Sequence, residues 1–142
     1  MKTQTYKNHR KFVKIYHLFA LPLTLVLIIG AVMNLINSAP ENLYSASLLV
    51  LVSVLLLLTL FFTRAFALKA QDRAIRVEEN FRHYLLTGKP LSSELKTRQI
   101  IGLRFASDEE FPTLAEKAVE DNMSEDAIKK AIKNWKGDYY RA

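Results

Sequence analysis

The residue pair best suited to chemistry in this sequence is Glu79 and His83, which lie four residues apart. On a helix this spacing places a carboxylate and an imidazole on one face, where both could ligate a metal ion. Two ligands on one helix do not complete a site, and the other histidines, His9 and His17, lie near the N-terminus. We therefore interpret the pair as a surface contact and predict no metal site.

Other signatures of catalysis are missing from the sequence. The chain has no cysteine, which excludes disulfides, a thiolate nucleophile and a cysteine-based metal site. Its 4 glycines are dispersed and form no phosphate-binding loop, and there is no G-x-S-x-G motif. The sequence predicts no catalytic residue and no cofactor, and hence a protein that is not an enzyme.

The apolar residues are concentrated in two segments of the chain. Hydrophobic residues make up 50% of the sequence and charged residues 24%, and no charge occurs between Lys14 and Glu41 or from Asn42 to Thr63. Each stretch exceeds the ~20 residues that cross ~30 Å of hydrocarbon. A cleaved signal peptide is disfavoured because the first apolar region exceeds the usual length and a second follows at once. We predict transmembrane helices at 15–36 and 43–68.

The turn at 37–42 is short, so the two helices are expected to form an antiparallel hairpin. Ser38 and Glu41 have the spacing of a capping box at the start of the second helix. The turn has no lysine or arginine, whereas segment 1–14 and the region after the second span are basic. The positive-inside rule then places both termini in the cytoplasm. The net charge of +6 arises mainly at this membrane edge, which argues against nucleic acid as a partner.

The second helix is predicted to continue beyond the membrane. No helix breaker occurs between Pro40 and Thr87, and Gly88 followed by Pro90 is a stop signal. Segment 69–88 is thus a cytoplasmic extension. Alternating steps of three and four residues define a seam along it, typical of helix pairing. This seam could pair with another protomer or receive the C-terminal helices, and it consists of Ala67, Ala70, Ala74, Val77, Phe81 and Tyr84.

The C-terminal region, 89–142, is predicted to contain about three short helices. Ser107 and Glu110 have capping-box spacing before the second helix, and Ser124 precedes the third. The apolar face of the third helix is expected to hold Ile128, Ala131, Ile132 and Trp135. The other face is basic, and we predict that it contacts anionic lipid or packs on protein. That basic face consists of Lys129, Lys130, Lys133 and Lys136.

Five separate blocks stand out in the sequence, namely QTYKNH at 4–9, KAQDRAIR at 69–76, RQII at 98–101, RFASDEE at 104–110 and AIKNW at 131–135. These blocks resemble those of a family of small bacterial membrane proteins of unknown function. The resemblance covers nearly the whole chain and implies a two-span protein of the bacterial inner membrane. It implies no catalytic residue.

Charged residues are frequent in these blocks. We predict that some form a charge-paired network that joins the long helix to the first two C-terminal helices, with isolated surface pairs as the alternative. The candidates are Asp72, Arg73, Arg76, Arg98, Arg104 and Asp108.

The fold class expected is therefore an all-α membrane protein, a two-helix hairpin with an extended second helix and short cytoplasmic helices. The function expected is a non-catalytic anchor, scaffold or accessory subunit. Its partners would be membrane lipid and either further copies of itself or a larger membrane complex. The alternative is a membrane-tethered binder of anionic lipid or nucleic acid through the basic C-terminal helix.

Overall fold

A computed structural model describes residues 4–9 and 12–139, and within these residues the chain is all-helical. Five α-helices and no β-strand occur in the described part. The chain divides into two compact units, one of which contains the described residues 12–67 and the other 4–9 and 68–139. Of the predicted basic N-terminal segment, Lys2, Arg10 and Lys11 lie outside the described residues.

The first unit contains two apolar helices joined by a short turn. A π-helical segment, Ile15–Ala20, leads into α1, Leu21–Ile36, and a 3₁₀ turn, Pro40–Asn42, leads into α2, Leu43–Thr87. The Leu21 amide donates to the Tyr16 carbonyl, five residues back. Pro22 lacks an amide hydrogen and follows directly, which suits the change of helix type at this point.

The few buried side chains of this hairpin are small. Thr24 and Ala31 are buried on α1, and Ala46 and Ser53 are buried on α2. Both pairs are spaced by one heptad, so each helix presents a stripe of small residues that permits close approach. Both buried hydroxyls are satisfied within their own helix, since Thr24 Oγ1 donates to a carbonyl at 2.7 Å and Ser53 Oγ at 2.8 Å.

Both helices are long and apolar enough to cross a membrane. The segment Ile15–Ile36 has a mean hydropathy of 2.4 and the segment Pro40–Thr87 reaches 2.6 in its most apolar window. Only 11% of the residues in either window are buried, so large apolar side chains cover the outside of the hairpin. A core helix of a soluble protein would bury most of these side chains.

The second unit is built around the last part of α2. We call residues 68–87 the stalk and residues 88–139 the C-terminal module. The stalk ends at Thr87, and Gly88 follows with φ 73°, a left-handed conformation that glycine adopts without strain. The Gly88 amide donates to the Tyr84 carbonyl at 2.8 Å and closes the last turn.

The C-terminal module consists of α3 (Thr97–Leu103), α4 (Phe111–Glu120) and α5 (Glu125–Ala131). α3 and α5 approach closely at Gly102, where an added Cβ would lie 3.1 Å from the Glu125 carbonyl oxygen. The apolar core joins these helices to the stalk through Ile75. Its other members are Leu95, Ile100, Ile101, Leu103, Ala106, Phe111, Leu114, Ala115, Ala118 and Ile128.

The third short helix ends earlier than the sequence predicts. It stops at Ala131, and Ile132 is already extended, so the predicted continuation to Trp135 was wrong. The chain after α5 pairs instead with the segment after α3, through an isolated antiparallel bridge between Ala106 and Trp135. The Lys136 amide donates to the Phe105 carbonyl at 2.7 Å.

Both predicted capping boxes were also wrong, whereas the Ser124 cap is confirmed. The helix that follows Glu110 has no side-chain cap, and neither does the turn at Pro40–Asn42. Glu110 instead accepts hydrogen bonds from the Lys133 amide at 3.1 Å and the Asn134 amide at 3.0 Å. Its carboxylate thus satisfies the amides that α5 leaves free by ending early. Ser124 Oγ accepts from the Ala127 amide at 3.1 Å.

Candidate interaction site on the stalk and C-terminal module

Arg82 is the polar centre of the contact between the stalk and the C-terminal module. Its guanidinium donates to Asp108 Oδ1 at 2.6 Å, to Glu79 Oε2 at 3.0 Å and to the Ala106 carbonyl at 2.7 Å. The same group lies 4.5 Å from the centroid of the Phe111 ring. The Arg82 side chain is only 12% exposed, so these bonds form largely out of water. Arg82 therefore fixes the segment before α4 against the stalk.

The pKa values of the two carboxylates around Arg82 shift in opposite directions. Burial raises the pKa of Glu79, and the hydrogen bond and charge of Arg82 only partly offset that effect. Asp108 is mostly exposed, and the hydrogen bond from Arg82 lowers its pKa. Arg82 thus compensates a buried charge at Glu79 and draws Asp108 towards the stalk.

His83 takes part in holding the turn that follows the stalk. Its Nδ1 donates to the Lys89 carbonyl at 2.8 Å, and its ring lies edge-on to Phe111. Asn80 Oδ1 accepts from the Leu91 amide at 2.8 Å, which fixes the same turn. Glu79 and His83 are both buried and Glu79 pairs with Arg82, so the expected surface contact between Glu79 and His83 was wrong. Across residues 4–9 and 12–139, no group of three or more metal-ligating side chains is found.

The N-terminal segment 4–9 lies against the C-terminal module. Gln4 and Asp138 exchange two hydrogen bonds, one from the Asp138 amide at 2.7 Å and one to the Asp138 carbonyl at 3.3 Å. Tyr6 donates its hydroxyl to Asp126 at 2.6 Å, which raises the pKa of Tyr6. The His9 ring lies 5.7 Å from Trp135. The two ends of the described chain therefore belong to one folded unit.

Half of the residues predicted to form the charge network form ion pairs. Arg98 pairs with Glu125 at 3.6 Å and is mostly exposed, and Arg104 pairs with Asp138 at 3.2 Å. Asp108 pairs with Arg82. The described part of the chain shows no ion pair for the other three, which are Asp72, Arg73 and Arg76.

The polar network between stalk and module therefore contains one of the six predicted residues, Asp108, and is centred on Arg82 and Glu79, which were not predicted to belong to it. Glu79 and Arg82 lie on the stalk face that meets the module, and Arg73 and Arg76 are exposed away from it. A clue was present in the sequence, since Ile75, Glu79 and Arg82 recur at intervals of four and three residues, the repeat of one helix face.

The predicted basic face does not form as a single surface. Lys129 is largely buried and pairs with Glu125 at 2.5 Å, and Lys130 pairs with Asp126 at 2.7 Å. Lys133 and Lys136 follow the end of α5, so they share no helical face with the first two lysines. Lys136 lies 3.7 Å from Asp108. Acidic neighbours thus neutralise most of this cluster.

The seam remains uncovered on the stalk. Val77 is 71% exposed, Phe81 61% and Tyr84 54%, and Ala70 and Ala74 are also exposed. The module packs on the opposite side of the helix, at Ile75, Glu79 and His83. Of the two predicted uses of the seam, packing of the C-terminal helices does not occur. Within residues 4–9 and 12–139, these three large apolar or aromatic side chains therefore form an exposed helical row that the module does not cover.

The family model described as "Family of unknown function (DUF6526)" matches residues 1–142. The chain belongs to this family. No curated protein and no solved structure gave a significant match. The family carries no functional description.

Proposed function

We propose that this protein is a non-catalytic membrane anchor that presents a helical module at the cytoplasmic face of the bacterial inner membrane and assembles through the stalk. The observation that carries the proposal is the exposed seam, in which Val77, Phe81 and Tyr84 lie opposite the module. An exposed apolar row on a charged helix is typical of a protein interface.

Membrane insertion is supported by the character of the hairpin. Its two helices are apolar on nearly all sides, and its buried stripe consists of small residues such as Ala31 and Ala46. Lipid-exposed Leu, Ile and Val with small residues between helices are expected for membrane spans. The chain would therefore cross the bilayer twice.

A common side for both ends is supported by contacts within the second unit. Gln4 and Tyr6, which precede the first span, bond with Asp138 and Asp126, which follow the second. Segments that share a folded unit lie on one side of a membrane. The basic flanks then favour the cytoplasm for that side.

The alternative, a binder of anionic lipid or nucleic acid, has less support from the structure. It depends on four lysines, and three of these have carboxylates within 3.7 Å, namely Glu125, Asp126 and Asp108. Phosphate recognition needs cations that are accessible and not already neutralised. Lys133 is the member of the cluster with no ion pair among the described residues.

The test is photo-crosslinking in living cells from an unnatural amino acid at Val77. A matched control carries the same group at Arg76, which is exposed on the same turn but lies off the seam. The proposal expects discrete protein adducts from position 77 that are absent from position 76. If both positions give only lipid adducts or no adduct, the stalk is not an assembly surface and the proposal is wrong.

A further inference from the structure

Charged residues flank the seam on both sides. The seam repeats with alternating steps of four and three residues from Ala70 to Tyr84, so it follows a heptad in which Ala74 and Phe81 take one core position and Val77 and Tyr84 the other. Arg73 lies immediately before the core residue Ala74, and Glu78 lies immediately after the core residue Val77. The two charges therefore border the seam on opposite sides.

Arg73 and Glu78 are both exposed, and the described residues show no ion pair for either. Neither side chain contributes to the contact between stalk and module, which is centred on Arg82. Their charges are available for a contact made outside the monomer. Glu78 and the seam residue Ala74 line one side of a cleft of about 480 Å³ between the stalk and the module, whose other side includes Tyr139. A second helix on the seam would therefore pack next to this edge of the module.

We propose that the partner of the seam is a second copy of this chain, paired in parallel as a two-stranded coiled coil. In a parallel pair, the residue before one core position faces the residue after the next core position of the partner. That rule brings Arg73 of each copy beside Glu78 of the other, so one interface forms this ion pair twice. In an antiparallel pair, the flank that carries Arg73 would face the same flank of the partner, and likewise for Glu78, so the opposite charges would not meet.

The inference rests on the proposed function, because two copies anchored in one membrane with the same orientation present parallel stalks. Anchoring also favours pairing of a seam as short as about three heptads. A coiled coil this short is marginal when its strands meet from solution. Confinement to one bilayer raises the effective concentration of the two stalks and favours pairing without additional contacts.

The test uses disulfide formation, for which the chain is well suited because it has no cysteine. Val77→Cys places a single thiol in a core layer, where parallel pairing brings the two Cα atoms within the ~4.4–6.8 Å that a disulfide spans. Arg76→Cys is the matched control on the outer side of the helix. We expect oxidation in native membranes to give a Val77→Cys dimer at least about tenfold faster than an Arg76→Cys dimer.

Charge reversal tests the register of the pair. In the Val77→Cys background, Arg73→Glu or Glu78→Arg alone sets like charges against each other twice, and we expect crosslinking to fall roughly five- to tenfold. The combination of both reversals restores opposite charges and should restore crosslinking. All three positions are exposed, and Trp135 fluorescence would verify that each variant keeps its folded module.

Three results would overturn the inference. They are equal crosslinking at 76 and 77, no dimer at 77, and failure of the combined reversal to restore what the single reversals lose. The proposed function fails separately. Release of the wild-type protein by alkaline carbonate would refute the membrane anchor, while a specific foreign adduct at 77 without self-crosslinking would refute the homodimer and leave the anchor intact.

Discussion

Replacing Arg82 with alanine should destabilise the C-terminal module by about 3 kcal/mol. The change leaves the Glu79 carboxylate and the Ala106 carbonyl without the donor that now lies 3.0 Å and 2.7 Å away. Glu79 is 10% exposed as a side chain, and breaking such a buried pair costs about 3–5 kcal/mol. The bond to Asp108 adds little because that side chain is 61% exposed. The lower end of this range applies because Glu79, whose pKa burial raises, can bind a proton once Arg82 is removed, and a neutral side chain costs less to bury.

The assay is thermal unfolding of the purified protein in detergent. The chain has 1 tryptophan, and Trp135 stacks on Phe105 with ring centroids 4.6 Å apart, so its fluorescence reports on the module and not on the hairpin. For a unit of this size, 3 kcal/mol corresponds to a fall in Tm of about 15 °C. The far-ultraviolet signal of the apolar helices should persist through this transition.

Two variants provide the controls for Arg82→Ala. Arg76→Ala removes an exposed arginine from the same helix and should change stability by less than about 0.5 kcal/mol. Glu79→Gln keeps an acceptor for Arg82 while removing a buried charge, so its effect should also be small. If Arg82→Ala costs under about 1 kcal/mol, or no more than Arg76→Ala, Arg82 does not hold the module against the stalk.

Three further predictions concern other parts of the molecule. Arg104→Ala should lower module stability by about 1–2 kcal/mol and expose the C-terminal end to protease, since it removes the 3.2 Å pair with Asp138. The folded pKa of Asp108 lies below its unfolded value, so its contribution to stability is complete above the unfolded pKa and is lost as the pH falls. Asp108→Asn should therefore flatten the loss of stability below about pH 4 in acid titrations followed by fluorescence. Ala31→Leu should overpack the hairpin and destabilise it by about 1–3 kcal/mol, measured as lower resistance to unfolding by SDS.

Each of these has its own control. Lys133→Ala should leave the stability of the module unchanged. If Lys133→Ala lowers stability as much as Arg104→Ala, the effect of Arg104→Ala cannot be assigned to its pair with Asp138. An unaltered acid transition in Asp108→Asn would mean that its pairing with Arg82 contributes nothing. Ile29→Leu changes an exposed side chain of the same helix and should be silent. An equal effect of Ile29→Leu and Ala31→Leu would argue against close packing at the small residues.

The strongest local patterns predicted the helical elements well. The charge-free stretches were predicted to be helical because backbone polar groups shielded from water must bond within their own segment, and long apolar helices occur there. The stop at Gly88 is confirmed, since few other residues adopt its positive φ. These features depend on neighbours in sequence alone.

The errors arose where contacts distant in sequence decide the structure. Glu110 has the spacing of a capping box with Ser107, but its carboxylate bonds to amides 23 and 24 residues further on. Those bonds accompany the early end of α5. Lys133 and Lys136 therefore lie beyond the helix and share no face with Lys129 and Lys130. The neighbours of Arg82 in sequence indicate only that it shares a helix face with Ile75 and Glu79, and not that the Ala106 carbonyl, 24 residues further on, lies beside it. The seam was visible in sequence, but which face of α2 the module would cover was not.

The proposed two-span anchor is tested most directly by measuring on which side of the membrane the turn and the module lie. Asn42→Cys and Glu94→Cys each introduce the only thiol of the chain at an exposed position, one between the apolar helices and one in the module. A membrane-impermeant maleimide applied to intact spheroplasts should label Asn42→Cys at once and Glu94→Cys only after lysis. Labelling of Glu94→Cys in intact cells, or protection of Asn42→Cys, would contradict a two-span anchor that holds its module in the cytoplasm.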